Sequence, residues 1–203
     1  MIARMLQTLL RRYAEAEAET LLPFLAGKRL LDLGAGEGYV TAALQRRTDM
    51  WLCAVDIGLY QRMPVPYLIY DGARLPFQDA TFDTTLISLA LHHCADPEAV
   101  LDEALRVTGV RLIILESVYR YRWERVCLER LDGWLNRYRH GGDMHPALAF
   151  KRADEWQRIF AARSLRTVDT RWLGSRWERL VHQPALFVLE KTLAQDVAAD
   201  SRA

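Results

Sequence analysis

The chain has 203 residues, of which 51% are apolar, and a formal net charge of +1 at neutral pH. This composition is typical of one globular domain and excludes a disordered chain. The near-zero charge argues against nucleic acid as a partner. Cys53, Cys94 and Cys127 lack metal-ligand spacing, so we expect reduced core thiols in a cytoplasmic protein. No apolar run approaches the roughly 20 residues of a membrane span, and the N-terminus predicts an amphipathic helix rather than a signal peptide.

The most informative segment is a short apolar run, residues 29–33, that leads directly into alternating glycines. It reads D-x-G-x-G-x-G and begins at Asp32. A helix-compatible stretch follows at residues 39–47. This order predicts a buried parallel strand, a tight turn and a helix N-terminus, which together form the ligand-binding corner of a doubly wound α/β sheet. Glycine suits a turn that needs positive φ or that a ligand approaches closely, and the helix N-terminus offers free N–H donors.

Four more strand patterns follow in chain order. Residues 51–55 form a β-favouring run that ends in Asp56, where an acid is placed to bond ribose hydroxyls. Strands are also predicted at residues 67–70, 82–89 and 110–115. Asp96 and Pro97 mark the start of a helix before the last of these. The alternation of strands and helices predicts right-handed crossovers and a parallel sheet, with the loops that carry polar residues at one edge.

Two further motifs follow the third and fourth strands. One reads D-G-A-R-L-P-F from Asp71, and the other reads A-L-H-H from Ala90. With the glycine motif, they resemble the class I S-adenosylmethionine-dependent methyltransferases of the small-molecule, type 11-like family. The resemblance covers residues 22–117 and resumes at residues 185–191. It implies a doubly wound, mostly parallel seven-stranded sheet of the Rossmann-like α/β class with a helical cap. It also implies S-adenosylmethionine as cofactor and S-adenosylhomocysteine as product.

The resemblance assigns a set of residues to the cofactor. The glycine turn would lie against its methionine part, with Asp32 near the amino group. Asp56 would hold the ribose hydroxyls, Asp71 would accept from the adenine N6, and Leu89 would pack under the ring. The full set is Asp32, Gly34, Ala35, Gly36, Gly38, Asp56, Ile57, Asp71, Gly72, Ala73 and Leu89. Only 14 residues, including two prolines, separate Asp56 from Asp71, so we expect the usual helix between these strands to be short or absent.

The pattern becomes helical after the fifth strand. Between residues 119 and 149, apolar side chains such as Trp123 and Trp134 recur on one helical face, so we expect most of them in the core of a lid. The arginines among them fit either a solvated face or a docking surface for an anionic acceptor. A second helix follows at residues 154–163, with Trp156 and Phe160 inward. After it come a strand at 165–170, an irregular loop and a last strand. The predicted segments are an N-terminal helix at 1–26, a cofactor-binding core at 27–118, a lid at 119–163, a strand pair at 164–191 and a tail at 192–203.

Three residues are candidates for proton transfer. His92 and His93 follow the fourth strand and Glu116 follows the fifth, at the edge where the acceptor is expected. In the O-methyltransferases that this chain resembles, such a histidine and acid form a base pair, because a carboxylate raises the pKa of imidazole and fixes its tautomer. The competing interpretation is a scaffold role for the histidines and a capping or arginine-pairing role for Glu116. We favour His93 over His92 as the base, and oxygen as the acceptor atom, with carbon and nitrogen open.

Other interpretations fit the motifs less well. No metal site is predicted, because His140, Asp143 and His145 lack a fourth ligand and histidines stand where metal-dependent relatives carry acids. A nicotinamide dehydrogenase would need G-x-G-x-x-G, and base-amine methylases carry an Asn/Asp-Pro-Pro-aromatic signature; the sequence has neither. The remaining alternative is a non-catalytic module that keeps the cofactor site. The expected acceptor is a small molecule of aromatic, lipophilic or anionic character, and the sequence leaves the oligomeric state open.

Overall fold

The computed structural model describes residues 2–140, 149–174 and 183–191, and their side chains apart from those of residues 2–5 and 138–140. The helices are α1 Ile2–Leu21, α2 Tyr39–Gln45, α3 Pro97–Val107, α4 Arg122–His140 and α5 Ala153–Ala161. The strands are β1 Arg29–Leu33, β2 Trp51–Asp56, β3 Tyr67–Ile69, β4 Phe82–Ser88, β5 Thr108–Val118, β6 Leu165–Trp172 and β7 Gln183–Lys191. Short 3-10 turns lie at Leu22–Phe24 and Leu91–His93. The predicted elements are therefore confirmed, with shifts of a few residues at their ends.

The strands form one seven-stranded sheet in the order β3-β2-β1-β4-β5-β7-β6. β1 pairs in parallel with both β2 and β4, β2 pairs in parallel with β3, and β6 pairs antiparallel with β7. The predicted doubly wound, mostly parallel sheet is confirmed. Asp32 is in register with Ala54, two residues before Asp56, so the carboxyl ends of β1 and β2 bring these two acids to the same edge.

The chain folds as two compact units, one of residues 1–90 and 99–113 and the other of residues 91–98 and 114–203. In the first unit, Leu30 and Leu31 of β1 and Leu86 and Ile87 of β4 are fully buried. Strands of a parallel sheet are covered on both faces, which is why their sequences are apolar without alternation. The core of the second unit is aromatic. Trp156 of α5 stacks on Phe160 at 5.9 Å between ring centroids, and Phe160 meets Phe187 of β7 edge-on at 5.3 Å.

The connection between β2 and β3 contains no helix, as its prolines predict. It is pinned to the glycine turn instead. The backbone N–H groups of Arg62 and Met63 donate to the carbonyl of Glu37 at 3.0 and 3.2 Å. The Tyr67 hydroxyl donates to the carbonyls of Gly36 and Gly58 at 3.1 and 3.0 Å. The missing helix is thus replaced by hydrogen bonds that fix the turn from the side of β3.

The orientation predicted for α4 is wrong. Its apolar face points to solvent, with Trp123 57% and Trp134 65% exposed. The face turned toward the protein is mainly polar: Glu124, Leu128 and Asn136 are buried. Among the other tryptophans after residue 120, Trp156 is buried as predicted and Trp172 is 46% exposed. Trp177 lies outside the described residues.

Smaller differences concern strand ends and one cysteine. β5 continues to Val118, so Glu116 lies within the strand rather than after it. β6 includes Trp172, which was predicted to begin the loop. Cys53 is buried as expected, Cys94 is partly buried and Cys127 is exposed. Asp143 and His145 lie outside the described residues, as does the side chain of His140. None of the described helices is long and apolar enough to cross a membrane.

Candidate functional site

The glycine turn after β1 is the first part of the candidate site. Gly34 has a φ of +77°, and a Cβ there would lie 2.4 Å from the Cβ of Ala90, so both conformation and space require glycine. Gly36 has a φ of +54°, but a Cβ there would meet nothing within 4 Å. The turn is therefore bordered by open space at Gly36, where a ligand can approach the backbone.

Asp56 at the end of β2 holds this turn. Its Oδ2 accepts from the Gly36 N–H at 2.7 Å and its Oδ1 accepts from the Ile57 N–H at 2.7 Å. Burial raises the pKa of Asp56, although the backbone bonds from Gly36, Ile57 and Gly58 oppose the increase. Each carboxylate oxygen keeps a second lone pair. Asp56 thus orients the glycine turn and still has acceptor capacity for hydroxyls, as the ribose assignment requires.

Two buried carboxyl groups lie close to each other beside the turn. Asp32 accepts a hydrogen bond from the Thr41 hydroxyl of α2, and Glu17 of α1 accepts one from the Ser88 hydroxyl at the end of β4. Burial raises the pKa of Glu17 to about 7, and the Asp32 charge adds to the increase. Burial likewise raises the pKa of Asp32 to about 6, with a further contribution from Asp56. An uncompensated pair of this kind favours a cation between or beside its members.

Glu17 was not identified from the sequence. It stands in the repetitive stretch Ala-Glu-Ala-Glu-Ala-Glu of α1, where the neighbouring acids are exposed or half-exposed. Its spacing from the apolar residues of α1 could have indicated that it is buried. Ala14, Ala18 and Leu21 are buried at helical spacing, and Glu17 falls on the same face. An acid in a buried stripe is a candidate for function because its burial is costly without a partner.

Asp71 and Leu89 were assigned to the adenine. Asp71 accepts from the backbone N–H groups of Ala73 and Arg74, both at 2.9 Å, and shapes the turn at Gly72. These bonds lower the pKa of Asp71, so the group is ionised at neutral pH. Leu89 has a φ of +51°, an uncommon value for a bulky residue, directly after β4. The adenine roles stay predictions, because these observations describe the turns and not a ring.

His92 is the centre of a second cluster, which lies in the other unit. Its Nδ1 is 2.7 Å from Oε2 of Glu116, and Oε1 of Glu116 accepts from the Leu91 N–H at 2.7 Å. The ring stacks on Phe150 at 4.5 Å. On its other side, Nε2 lies 3.8 Å from Oδ1 of Asp132 in α4. The sequence favoured His93 as the partner of Glu116; the contact in the structure is to His92.

His92 carries a positive charge at neutral pH. Burial by itself would lower the pKa of His92, but the charges of Glu116 and Asp132 and the contact of Nδ1 with Glu116 raise it to about 9. His92 is therefore an imidazolium held between two carboxylates, and a group that is already protonated is not a general base.

His93 lies beside this ion pair and is less buried. Its Nε2 is 3.6 Å from Oδ1 of Asp132 and 3.5 Å from Nδ2 of Asn136, which donates to the other oxygen of Asp132 at 2.9 Å. The side chain of His93 is 17% exposed, against 5% for His92. Neither Asp132 nor Asn136 was identified from the sequence, since a polar pair on α4 gave no motif.

His92, His93 and Asp132 are also close enough to share a metal ion, since one ligand atom from each lies within 4.8 Å of the others. The protonated His92 already compensates the carboxylates. A metal would have to displace that proton, because a coordinating histidine is neutral.

Comparison with known proteins agrees with this architecture. Residues 31–111 match the family model described as "Methyltransferase domain". This segment is therefore similar to a methyltransferase domain. Over 114 residues, 52% of this chain and 48% of the relative, the chain is 35% identical to demethylmenaquinone methyltransferase of Mycolicibacterium paratuberculosis. The chain thus spans about half the length of the curated relatives that it matches.

Two solved structures show the fold over most of the chain. One is the putative methyltransferase in complex with the Haloferax volcanii Trm112 methyltransferase activator, with a TM-score of 0.69, 18% identity and 94% of each chain covered. The other is geranyl diphosphate C-methyltransferase of Streptomyces coelicolor in complex with Mg²⁺, geranyl diphosphate and S-adenosyl-L-homocysteine, with a TM-score of 0.68 and 15% identity. The second covers 89% of this chain and 80% of that chain. At these identities the likeness concerns the fold alone.

Proposed function

We propose that this protein transfers a methyl group from S-adenosylmethionine to a small-molecule acceptor. The observation that carries the proposal is the hydrogen bond from the Gly36 N–H to the buried carboxylate of Asp56. It joins the glycine turn of β1 to the acid at the end of β2, the arrangement that a nucleoside-binding α/β sheet uses for a ribose. The match of residues 31–111 to a methyltransferase family supports the same cofactor.

The residues of the first unit fit such a cofactor. Gly36 borders open space, Asp56 has acceptor capacity for two hydroxyls, and Asp32 and Glu17 form a buried acidic pair. We assign Asp32 and Glu17 to the α-ammonium group, because a cation stabilises the ionised form of buried carboxyls. Bound S-adenosylmethionine supplies a methyl group activated by a sulfonium. The chain itself binds and orients, and good alignment is worth about 7–11 kcal/mol of the barrier.

We assign the role of general base to His93. When a hydroxyl acceptor forms a bond from its oxygen to the methyl carbon, it must lose its proton, and His93 takes that proton. Asp132 lies near Nε2 of His93 and stabilises the imidazolium that forms. His92 remains protonated throughout and, with Glu116, keeps Asp132 in place. General-base catalysis of this kind is worth about 10²- to 10⁴-fold in rate.

We infer that the acceptor is a hydroxylated aromatic compound. Relatives of this chain are named demethylmenaquinone methyltransferase, which points to a quinone-type ring. Loss of the proton from a phenol makes both its oxygen and its ring carbons nucleophilic. The same base therefore serves transfer to oxygen, which we favour, and transfer to carbon. Mass spectrometry and NMR of the product distinguish the two.

Two measurements test the proposal. Calorimetric titration should show micromolar binding of both S-adenosylmethionine and S-adenosylhomocysteine, and none of NAD. With an acceptor found among phenols and quinols, His93→Ala should lower kcat by at least about 10²-fold with cofactor affinity unchanged. His93→Ala with full activity would remove the base assignment. Binding without turnover on any acceptor would favour the non-catalytic module, and no binding at all would refute the function.

A further inference from the structure

The solvent-facing side of α4 is apolar along much of its length. Trp123, Val126, Leu131 and Trp134 are 57%, 45%, 43% and 65% exposed. One continuous stripe runs along the helix, because its members are spaced alternately by four and three residues. The stripe consists of Trp123, Cys127, Arg130, Trp134 and Arg137. We call this stripe, with Val126 and Leu131 at its sides, the outer face of α4. Two exposed tryptophans on one face mark an interaction surface.

The outer face is also cationic. Arg130 and Arg137 lie within the stripe and Arg122 lies at its edge, and all three side chains are exposed. Among the acids of α4, Glu124 is buried and Asp132 lies near His92 and His93, so Glu129 is the remaining acid of this helix. Glu129 pairs with Arg125 at 2.7 Å. The helix thus presents aromatic side chains together with an excess of positive charge.

We propose that the outer face of α4 binds the surface of an anionic lipid bilayer. A helix that carries tryptophan on one face and arginine among and beside the apolar residues lies in the plane of the membrane interface, where indole rings sit at the level of the headgroups. The arginines match the negative charge of the headgroups. This binding is separate from the proposed methyl transfer, and it needs no helix that crosses the membrane.

The same charges disfavour a second copy of the chain as the occupant. A two-fold interface places the same patch on both partners. Arg130 and Arg137 lie within the stripe beside Trp134, so a symmetric pair of outer faces would bring like charges together, and Glu129 of the same helix already pairs with Arg125. A lipid surface supplies the missing negative charge.

Vesicle co-sedimentation with the full chain tests the proposal. We expect binding to phosphatidylcholine vesicles that contain roughly a third phosphatidylglycerol to be at least tenfold tighter than to phosphatidylcholine alone, because each arginine near the surface contributes about fivefold. Raising the salt concentration should weaken the binding. Trp123→Ala combined with Trp134→Ala should lower the partition coefficient at least about tenfold. Arg130→Glu combined with Arg137→Glu should abolish the preference for anionic vesicles.

The controls separate this surface from general effects. Trp172→Ala removes a tryptophan of β6 that is 46% exposed, and it should leave vesicle binding unchanged. Unfolding midpoints of all variants should match the wild type, because the altered side chains are exposed. Absence of binding to anionic vesicles, or equal binding to neutral and anionic ones, would overturn the proposal. So would a wild-type dimer in sedimentation velocity that the tryptophan variants convert to a monomer while vesicle binding stays unaltered.

Discussion

Replacing Glu17 by glutamine should stabilise the protein at alkaline pH and leave it nearly unchanged in acid. The pKa of Glu17 is raised from 4.5 to about 7 because its carboxyl is buried. An acid whose pKa is higher in the folded state binds more protons there, so wild-type stability falls as the pH rises from 4.5 toward 7 and then levels off. At 1.36 kcal/mol for each unit of pKa, the loss is about 3 kcal/mol at pH 8 and less than about 1 kcal/mol at pH 5. Glutamine stays neutral, so the free energy of unfolding of the variant lacks this dependence on pH.

Urea unfolding of both proteins at several pH values between 5 and 8 measures this difference. Glu19→Gln is the matched control, because Glu19 is on the same helix with its side chain 69% exposed. For that variant we expect only a small difference in stability, because the side chain is exposed. A pH-independent difference for Glu17→Gln would refute the reasoning about the buried carboxyl. If Glu17 also contacts the ammonium of the cofactor, the stabilised variant should bind S-adenosylmethionine less tightly than the wild type does.

Two further predictions concern the other charged groups. Asp56→Ala should weaken S-adenosylmethionine binding by about 10- to 100-fold in calorimetry, because it removes both a charged acceptor and the bond that orients Gly36; unchanged affinity would mean that the ribose lies elsewhere. His92→Gln should remove a pH dependence of stability. The pKa of His92 is raised from 6.5 to about 9, so its contribution is complete below pH 6.5 and is lost as the pH rises through 9. Unfolding from pH 6 to 9.5 should show a slope in the wild type that the variant lacks, and equal slopes would contradict the ion pair with Glu116.

The fold was predictable because it depends on local sequence, and the same motifs led to the proposed cofactor residues. The sequence indicates a strand by the apolar run before Asp32, a turn by the alternating glycines and a strand end by Asp56. Each of these signals extends over only a few residues. The absent helix between β2 and β3 was predictable for the same reason, since proline excludes helix without reference to the rest of the protein. Glu17 was missed because nothing local distinguishes it from Glu15 and Glu19. Its burial depends on which face of α1 packs against the sheet.

The partner of Glu116 was also beyond the sequence. Adjacent residues His92 and His93 lie in a 3-10 turn, and neighbouring side chains on such a turn point in different directions. Only the backbone geometry decides that His92 contacts Glu116 while His93 lies nearer Asn136. The choice matters for the proposed function, because the carboxylate contacts favour the protonated form of His92, and we therefore propose His93 as the base.

The reversed orientation of α4 follows from the same polar contacts. Apolar periodicity predicts that Trp123 and Trp134 are buried, since burial of each would be worth several kcal/mol. The opposite face, however, carries Glu124, Asp132 and Asn136 at helical spacing. Glu124 accepts from the backbone N–H groups of Arg120 and Tyr121 at 2.6 and 2.9 Å and from Gln183 at 3.1 Å. Turning the helix over would break these bonds and remove Asp132 from the imidazolium of His92. Periodicity measures only apolar burial, so it fails where a helix is held by charge. These contacts leave Trp123 and Trp134 largely exposed, and we propose that an anionic bilayer surface supplies both the apolar contact and the negative charge for this face.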